Sequence, residues 1–469
     1  MTPRTLAASL SKYFGERFLT PGDRRYDSAR KVWNGMVDKR PLGLVKCADG
    51  RDVSIALTES VAAGVPISIL AGGHQIAGGA VIEDGVVLDL SAMRSVNVDR
   101  QSSNVSVGGG ALLGDLDRAA SRYGLAVPAG VVSHTGVGGL TLGGGIGWLS
   151  RSRGLTCDRL LSARVIDGTG RERLASSTEN PDLFWAMRGG GGNFGVVTEF
   201  TYEAAPIGWV TFGTRTVNLQ QARAALIEYG SRADTLPRQL QVMVKVQKAL
   251  SQSGPNHRRG EPVVTFEWMW SGDPVDAFSA QESLGLEHLG SAQVARQRFA
   301  EVQSHQDHRY PHGFRYFLKP GHFNALTAEV ADAMLKAAES MPSEDAQIEV
   351  LLLGGTIDDV PESETAYPKR SARFAYNVTA GWESDLLDQE HIGWCRSTHQ
   401  SLNRLATEGA YINFLGADEV VDLSSIFGAA KYARLREVKA QYDPGQIFQP
   451  MVPIPPADSP LAATNSGTR

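Results

Sequence analysis

Residues 69–79 read Ile-Leu-Ala-Gly-Gly-His-Gln-Ile-Ala-Gly-Gly, and this segment limits what the chain can be more than any other. The apolar run Pro66-Ile67-Ser68-Ile69-Leu70 reads as a buried strand. It leads into Gly72, Gly73, Gly78 and Gly79, with His74 at the centre. Glycines permit φ > 0 and close backbone approach, and successive bare N–H groups can cradle a pyrophosphate. The loop therefore offers an anion seat and a nucleophilic ring nitrogen together.

Glycine loops of the same kind recur downstream. Gly108-Gly109-Gly110 follows the alternating stretch Asn104-Val105-Ser106-Val107. Residues 136–147 read Gly-Val-Gly-Gly-Leu-Thr-Leu-Gly-Gly-Gly-Ile-Gly. Residues 188–195 read Arg-Gly-Gly-Gly-Gly-Asn-Phe-Gly and open into the strand-like segment 196–200. Each glycine inside a regular element costs roughly 0.5–1 kcal/mol. Tight turns need one or two glycines, not runs of three and four. A ligand-free, glycine-rich β-domain therefore explains the series less well than a large phosphate-bearing cofactor does. No Gly-x-x-x-x-Gly-Lys-Ser/Thr is present, which disfavours a P-loop. Gly136-Val137-Gly138-Gly139 begins like a dinucleotide fingerprint but lacks the acidic residue on a second strand.

These motifs resemble those of the flavoprotein superfamily of vanillyl-alcohol oxidase and p-cresol methylhydroxylase (PCMH), and within it the berberine-bridge-enzyme-like FAD-linked oxidases. Gly72-Gly73-His74 resembles the motif whose histidine is bonded to the flavin 8α-methyl. Residues 130–136, Gly-Val-Val-Ser-His-Thr-Gly, resemble the second flavin loop. Val132 stands where many members carry a cysteine bonded to flavin C6, so a single covalent linkage is expected. Residues 188–198, Tyr411-Ile412-Asn413-Phe414 and Lys439–Pro444 match further signatures, and the similarity runs over roughly residues 17–456. It looks closest to bacterial members that tailor polyketides and other secondary metabolites, among them the flavoenzyme of the enterocin pathway.

The resemblance implies an α+β chain with a PCMH-type FAD-binding domain over residues 1–205. A substrate domain, built on an antiparallel sheet backed by helices, would occupy 206–414. A segment over 415–456 would return to the first domain, and 457–469 would be a disordered tail. The implied FAD contacts are Gly72, Gly73, His74, Gln75, Gly78, Gly130, Val132, Thr135, Gly136, Gly139, Gly143, Gly145, Gly190, Asn193, Val197 and Asn413. Attachment through His74 would withdraw electron density from the ring and prevent cofactor loss, while the flavin carries the redox step.

Composition agrees with this outline. A chain of 469 residues fits two domains. Its 42% hydrophobic and 21% charged content is that of an ordinary globular protein. The net charge of −5, with both signs interspersed, points away from nucleic acid. Residues 1–30 lack the continuous apolar core of a signal peptide, and no apolar run approaches the ~20 residues of a membrane span. Cys47, Cys157 and Cys395 form no Cys-x-x-Cys pair, so buried free thiols and a cytoplasmic location are expected. The expected partners are a small-molecule substrate and O2, with the chain a monomer or homodimer.

Glycine thins out after Pro206-Ile207-Gly208, where strands begin to alternate with helices. Two residues there are candidate bases. Tyr411 sits in a Tyr-x-Asn motif whose tyrosine helps remove a substrate proton in relatives; with a phenol pKa of ~10 it needs a nearby cation or flavin to serve. Many members carry Tyr where this chain has Phe414, and if the phenol belongs there, Tyr411 only packs. Glu349 lies in the strand Gln347–Leu352, sharing a face with Gln347 and Leu351, where burial could raise its pKa; otherwise it is a solvent-facing edge residue. Asn413 is expected to bond the flavin or a neighbouring backbone. Thr135 either leaves room for O2 beside the flavin or simply bonds the backbone. His134 shapes its loop, and His305, His308, His312 and His322 lack metal-ligand spacing and read as loop or pocket histidines. No metal is expected. The leading expectation is an FAD-dependent oxidase acting on an alcohol or activated C–H. The alternatives are a flavin-dependent oxygenase of a polyketide-like substrate and a drug-binding resistance flavoprotein.

Overall fold

The computed structural model describes residues 3–250, 258–419 and 422–457. The first sheet contains β1 (Phe18–Leu19), β2 (Gly43–Lys46), β3 (Ile67–Leu70) and β4 (Val86–Asp89), in the order β1-β2-β4-β3. β2, β3 and β4 pair in parallel. Such strands must be covered on both faces, which is why their sequences are nearly unbroken apolar runs. The crossover from β2 to β3 is the helix Gly50–Ala63. The Asp49 carboxylate caps it by accepting the Asp52 N–H, and Gly64 closes it in the left-handed region at φ 64°.

The second sheet is antiparallel: β5 (Val96–Asp99), β6 (Asn104–Gly108), β7 (Leu160–Asp167), β8 (Glu172–Ser176) and β9 (Gly195–Glu203), in the order β5-β6-β9-β7-β8. The C-terminal helix Ala429–Tyr442 sends Leu435, Val438 and Tyr442 into the same core as Val105, Phe200 and Tyr202. Phe448 then bridges to Ile67, so the chain ends beside the strand that leads into the first glycine loop. Buried Lys439 fixes this return, donating to Asn193 O at 2.8 Å and to Asp443 Oδ2 at 2.6 Å.

The third sheet has β10 (Trp209–Asn218), β11 (Leu240–Lys248), β12 (Pro262–Trp270), β13 (Ser291–Arg298), β14 (Arg315–Phe323), β15 (Ala346–Leu352) and β16 (Phe374–Trp382). Its order is β13-β10-β12-β11-β15-β16-β14, antiparallel throughout. Period-two alternation splits its faces. Val242, Val244, Val246, Phe266, Trp268, Ile348, Val350 and Val378 pack beneath the helices Leu219–Arg232, Ala328–Glu339 and Asp388–Asn403. Each such side chain, fully buried, contributes about 1.5–3 kcal/mol. The other face carries Lys245, Glu267, Gln347, Glu349 and Asn377. Lys245, Glu349 and Asn377 stand in register across β11, β15 and β16.

Two expectations need correcting. The glycine run 136–147 is not all loop, because Val137–Leu142 forms a short helix. The segment Tyr411–Phe414, whose alternating apolar residues predict a strand leading back toward the first domain, is instead a 3-10 turn over Ile412–Phe414. Among the described residues it has no partner strand; instead Asn413 Nδ2 donates to Leu140 O at 3.1 Å, and the turn presents that amide to the helix. Beyond Ala457 the expected disordered tail lies outside the described residues. Among those described, no helix is long and apolar enough to cross a membrane.

Arg151 joins the first part of the chain to the third sheet. Its guanidinium is 2% exposed and donates to the carbonyls of Leu240 (2.9 Å), Leu353 (2.6 Å), Leu236 (2.9 Å) and Pro237 (3.4 Å). Among the described residues no carboxylate bonds it. Each buried carbonyl left unpaired costs about 1–3 kcal/mol. Arg151→Leu is therefore expected to lower unfolding stability by about 3 kcal/mol or more, read as a fall in the urea midpoint; an unchanged midpoint would show that the bolt carries no load.

Candidate active site

β3 delivers the chain into the first glycine loop, where Gly73 adopts φ +63° and turns the next residue inward. His74 therefore points toward the second loop. Its Nε2 lies 2.8 Å from His134 Nδ1, within hydrogen-bond reach. Its ring stacks on Trp33, with centroids 4.4 Å apart and planes 12° apart. His312 stands edge-on to His74 at 6.2 Å and lies 4.8 Å from His134. Burial, and then the neighbouring His134 and His312, hold the His74 pKa well below the ordinary value. Burial also lowers His134 and His312. Three neutral imidazoles thus meet here, and a neutral imidazole keeps a lone pair for bonding.

The second loop is held from across the molecule. Ser133 donates its N–H to Asp307 Oδ1 at 2.7 Å and its hydroxyl to Asp307 Oδ2 at 2.5 Å. Gly136 touches the first loop so closely that a Cβ on Gly72 would lie 2.2 Å from Gly136 N. Only two glycines allow that crossing.

Between these loops and the polar face of the third sheet runs one cavity, enclosing about 1860 Å3 of empty space including its open mouth. Of the residues read from the sequence, Gly72, Gly73, His74, Gln75, Val132, Thr135, Gly136, Gly139, Asn193, Val197 and Asn413 line it, as do Tyr411 and Glu349. Gly78, Gly130, Gly143, Gly145 and Gly190 are not in its wall. A Cβ on Gly143 would meet Asn413 Oδ1 at 2.1 Å, and one on Gly145 would meet Thr156 Oγ1 at 2.1 Å, so these two bring supporting segments close. Asn193 donates from Nδ2 to Gly190 O (2.9 Å) and Val452 O (3.0 Å), and its Oδ1 accepts from Ile454 N (2.9 Å). That residue stitches its loop to the C-terminal segment.

The cavity suits a long dinucleotide. Gly139 and Gly192 line it, and a Cβ added to either would meet no protein atom within 4 Å, so bare backbone faces open space. No Lys or Arg is among the described residues of its wall. Phosphates there would be held by neutral backbone N–H groups rather than by cations.

The two candidate bases differ sharply. The Tyr411 hydroxyl accepts from Gly145 N–H (2.9 Å) and Asn413 Nδ2 (2.8 Å), and burial pushes its pKa up. That phenol braces the C-terminal turn against the glycine run. Glu349 accepts a hydrogen bond from the Tyr310 hydroxyl at 2.9 Å on Oε2. Burial raises its pKa, opposed by the Lys245 charge and the Tyr310 bond. Lys245 itself is occupied by Glu267 Oε1 (3.0 Å) and Gln306 Oε1 (2.6 Å). Sequence reasoning missed Trp33 and Tyr310, since a lone aromatic carries no spacing signal. His312 reads from the sequence as one of several loop or pocket histidines, and proximity to His74 sets it apart from His322 on β14, whose ring bonds Gly409 O. Among the described residues no group of three or more His, Cys, Asp or Glu side chains is arranged to hold a metal ion.

Comparisons with known proteins agree with this geometry. Residues 41–175 match a family model described as an FAD binding domain, and residues 410–455 match one described as berberine and berberine like. An FAD-linked oxidoreductase of Dictyostelium discoideum is 28% identical over 445 residues, 93% of each chain. The (R)-6-hydroxynicotine oxidase of Paenarthrobacter nicotinovorans is 39% identical over 179 residues, 38% of this chain and 39% of that one. Among solved structures, 6-hydroxy-D-nicotine oxidase of Arthrobacter nicotinovorans superposes with a TM-score of 0.82 at 25% identity, covering 92% of this chain and 96% of that one. The BBE-like 1 protein of Physcomitrella patens shares the fold, with a TM-score of 0.85 at 22% identity over 97% and 99%. The chain belongs to the berberine-bridge-enzyme-like flavoproteins of the PCMH superfamily and is an FAD-dependent oxidoreductase.

Proposed function

We propose that the protein is an oxidase that carries FAD on His74 by a single bond and oxidises an alcohol or activated C–H of a small organic molecule, a secondary metabolite, with O2 as acceptor. The observation that carries this reading is the His74 imidazole: neutral, flattened against Trp33, engaged at Nε2 by His134, and set in the cavity wall between the glycine loops. Because Nε2 is engaged, attachment would use Nδ1. It would form one N–C bond and release two protons and two electrons, the electrons passing to O2 to give peroxide.

FAD, when bound, supplies the hydride acceptor for the substrate carbon, and O2 takes the electrons onward as peroxide. The protein's part is binding and proton handling. The polar face of the third sheet meets the substrate from the side opposite the glycine loops. Glu349, with Oε2 already bonded by Tyr310, takes the substrate proton on Oε1. Tyr310 stays a neutral donor because burial and the Glu349 carboxylate push its pKa up. Asn377, opposite Glu349 in the register, lines the same cavity and gives the substrate a second polar contact.

Two measurements test the reading. Acid-precipitated wild-type protein should stay yellow, and the purified protein should release peroxide with one member of a panel of alcohols, amines, sugars and phenolic polyketides. A pellet that loses all its colour removes the covalent bond from the proposal. Tight binding of a panel member with neither peroxide nor oxygenated product would favour sequestration instead.

A further inference from the structure

We propose that Trp33 is a positioning residue: it holds the His74 imidazole in its attachment pose and ties that pose to the Glu349 carboxylate. The proposal rests on the reading that His74 carries the cofactor and Glu349 the proton.

Trp33 is 4% exposed and touches both halves of the site. Its indole lies on His74 (4.4 Å, 12°) and also stacks on Tyr316 of β14 (4.0 Å, 15°). Its backbone N–H donates to Gly73 O at 3.1 Å, one residue before the histidine. Its carbonyl accepts from Gly313 N at 3.0 Å, and its indole Nε1–H donates to Tyr310 O at 2.9 Å. Tyr310 in turn donates its hydroxyl to Glu349 at 2.9 Å. The next residue repeats the link: Asn34 Nδ2 donates to Ile76 O (2.7 Å) and Tyr316 O (3.0 Å), while its Oδ1 accepts from Tyr316 N (3.0 Å). Residues 33–34 therefore staple the His74 loop to the sheet that carries the base.

Such a staple is needed. His134 fixes one edge of the imidazole but leaves its plane free to swing about that contact. A flat partner at stacking distance removes the swing. Reactions between held groups are sensitive to this: a misplacement of ~1 Å can cost ~100-fold in rate. The indole N–H performs a second task by fixing the Tyr310 main chain, and with it the hydrogen bond that favours ionised Glu349.

The two tasks separate by mutation of the full chain. Trp33→Leu removes the stack, and Trp33→Phe keeps a ring but loses the N–H. Covalent incorporation is followed by adding FAD to full-length protein produced in riboflavin-starved cells, precipitating aliquots in acid and measuring retained flavin. Trp33→Leu is expected to incorporate about tenfold more slowly or worse, with Trp33→Phe within about threefold of wild type. Trp33→Phe is also expected to move the acid limb of the kcat/KM profile to higher pH. Wild-type incorporation in Trp33→Leu overturns the proposal, as does an unmoved acid limb in Trp33→Phe. Should Trp33→Leu not fold, the acid limb of Trp33→Phe decides alone. A wild type that never holds flavin through acid sinks the His74 assignment itself, a result distinct from a covalent wild type whose Trp33 variants match it.

Discussion

His74→Ala is expected to yield a folded protein that binds FAD but gives up all of its colour on acid precipitation, where the wild type keeps it. The fold should survive because the loop's shape comes from Gly73 at φ +63° and from the Gly72–Gly136 crossing, neither of which uses the imidazole. Depleting the ring of its electron-withdrawing tether should lower the flavin's reduction potential. For a two-electron couple, ~30 mV is worth ~1.4 kcal/mol, and that amount is about tenfold in rate if it is expressed fully in the barrier. The expected outcome is thus a lower midpoint potential by redox titration together with a fall in turnover of about tenfold or more. His134→Ala should behave differently. It leaves the attaching ring in place but frees Nε2 of His74, so incorporation slows while the final bond, once formed, still survives acid. A His74→Ala protein that stayed yellow in acid would place the bond on another residue.

The glycine loops were legible in the sequence because their signal is local: runs of three and four glycines beside strand patterns have few other uses. The same locality explains what stayed hidden. Helix Val137–Leu142 forms inside such a run, where propensity argues against it, because its N–H and C=O groups pair with each other and its Thr141 hydroxyl bonds both Val137 O and Tyr202. The turn at Ile412–Phe414 looks like a strand because apolar residues alternate, yet among the described residues no neighbouring strand pairs with it. Trp33 and His312 reach His74 from about 40 and 240 residues away along the chain, Tyr310 joins them through the Trp33 indole N–H, and only the packing of the third sheet on the glycine loops brings them together. Glu349 was visible through alternation, but the donor that makes it a credible base was not.

Glu349→Gln is expected to lower kcat/KM by about 100-fold or more, the usual contribution of a positioned acid–base group, with flavin content unchanged. In the wild type the base must be ionised, so activity should rise with pH through the Glu349 pKa. Burial places that pKa above the ordinary 4.5, and the acid limb should fall correspondingly late. The Tyr310 hydroxyl favours the ionised form by donating to it. Tyr310→Phe removes that preference, so the limb should move to still higher pH while the plateau falls less than in Glu349→Gln. Tyr411→Phe provides the contrast. Its hydroxyl accepts two hydrogen bonds from the protein and burial works against phenolate, so its loss should loosen the 411–415 turn and lower thermal stability without moving the acid limb. A Tyr411→Phe variant that lost the acid limb, beside a Glu349→Gln variant that kept both rate and limb, would transfer the proton to the phenol and leave the carboxyl as a wall of the pocket.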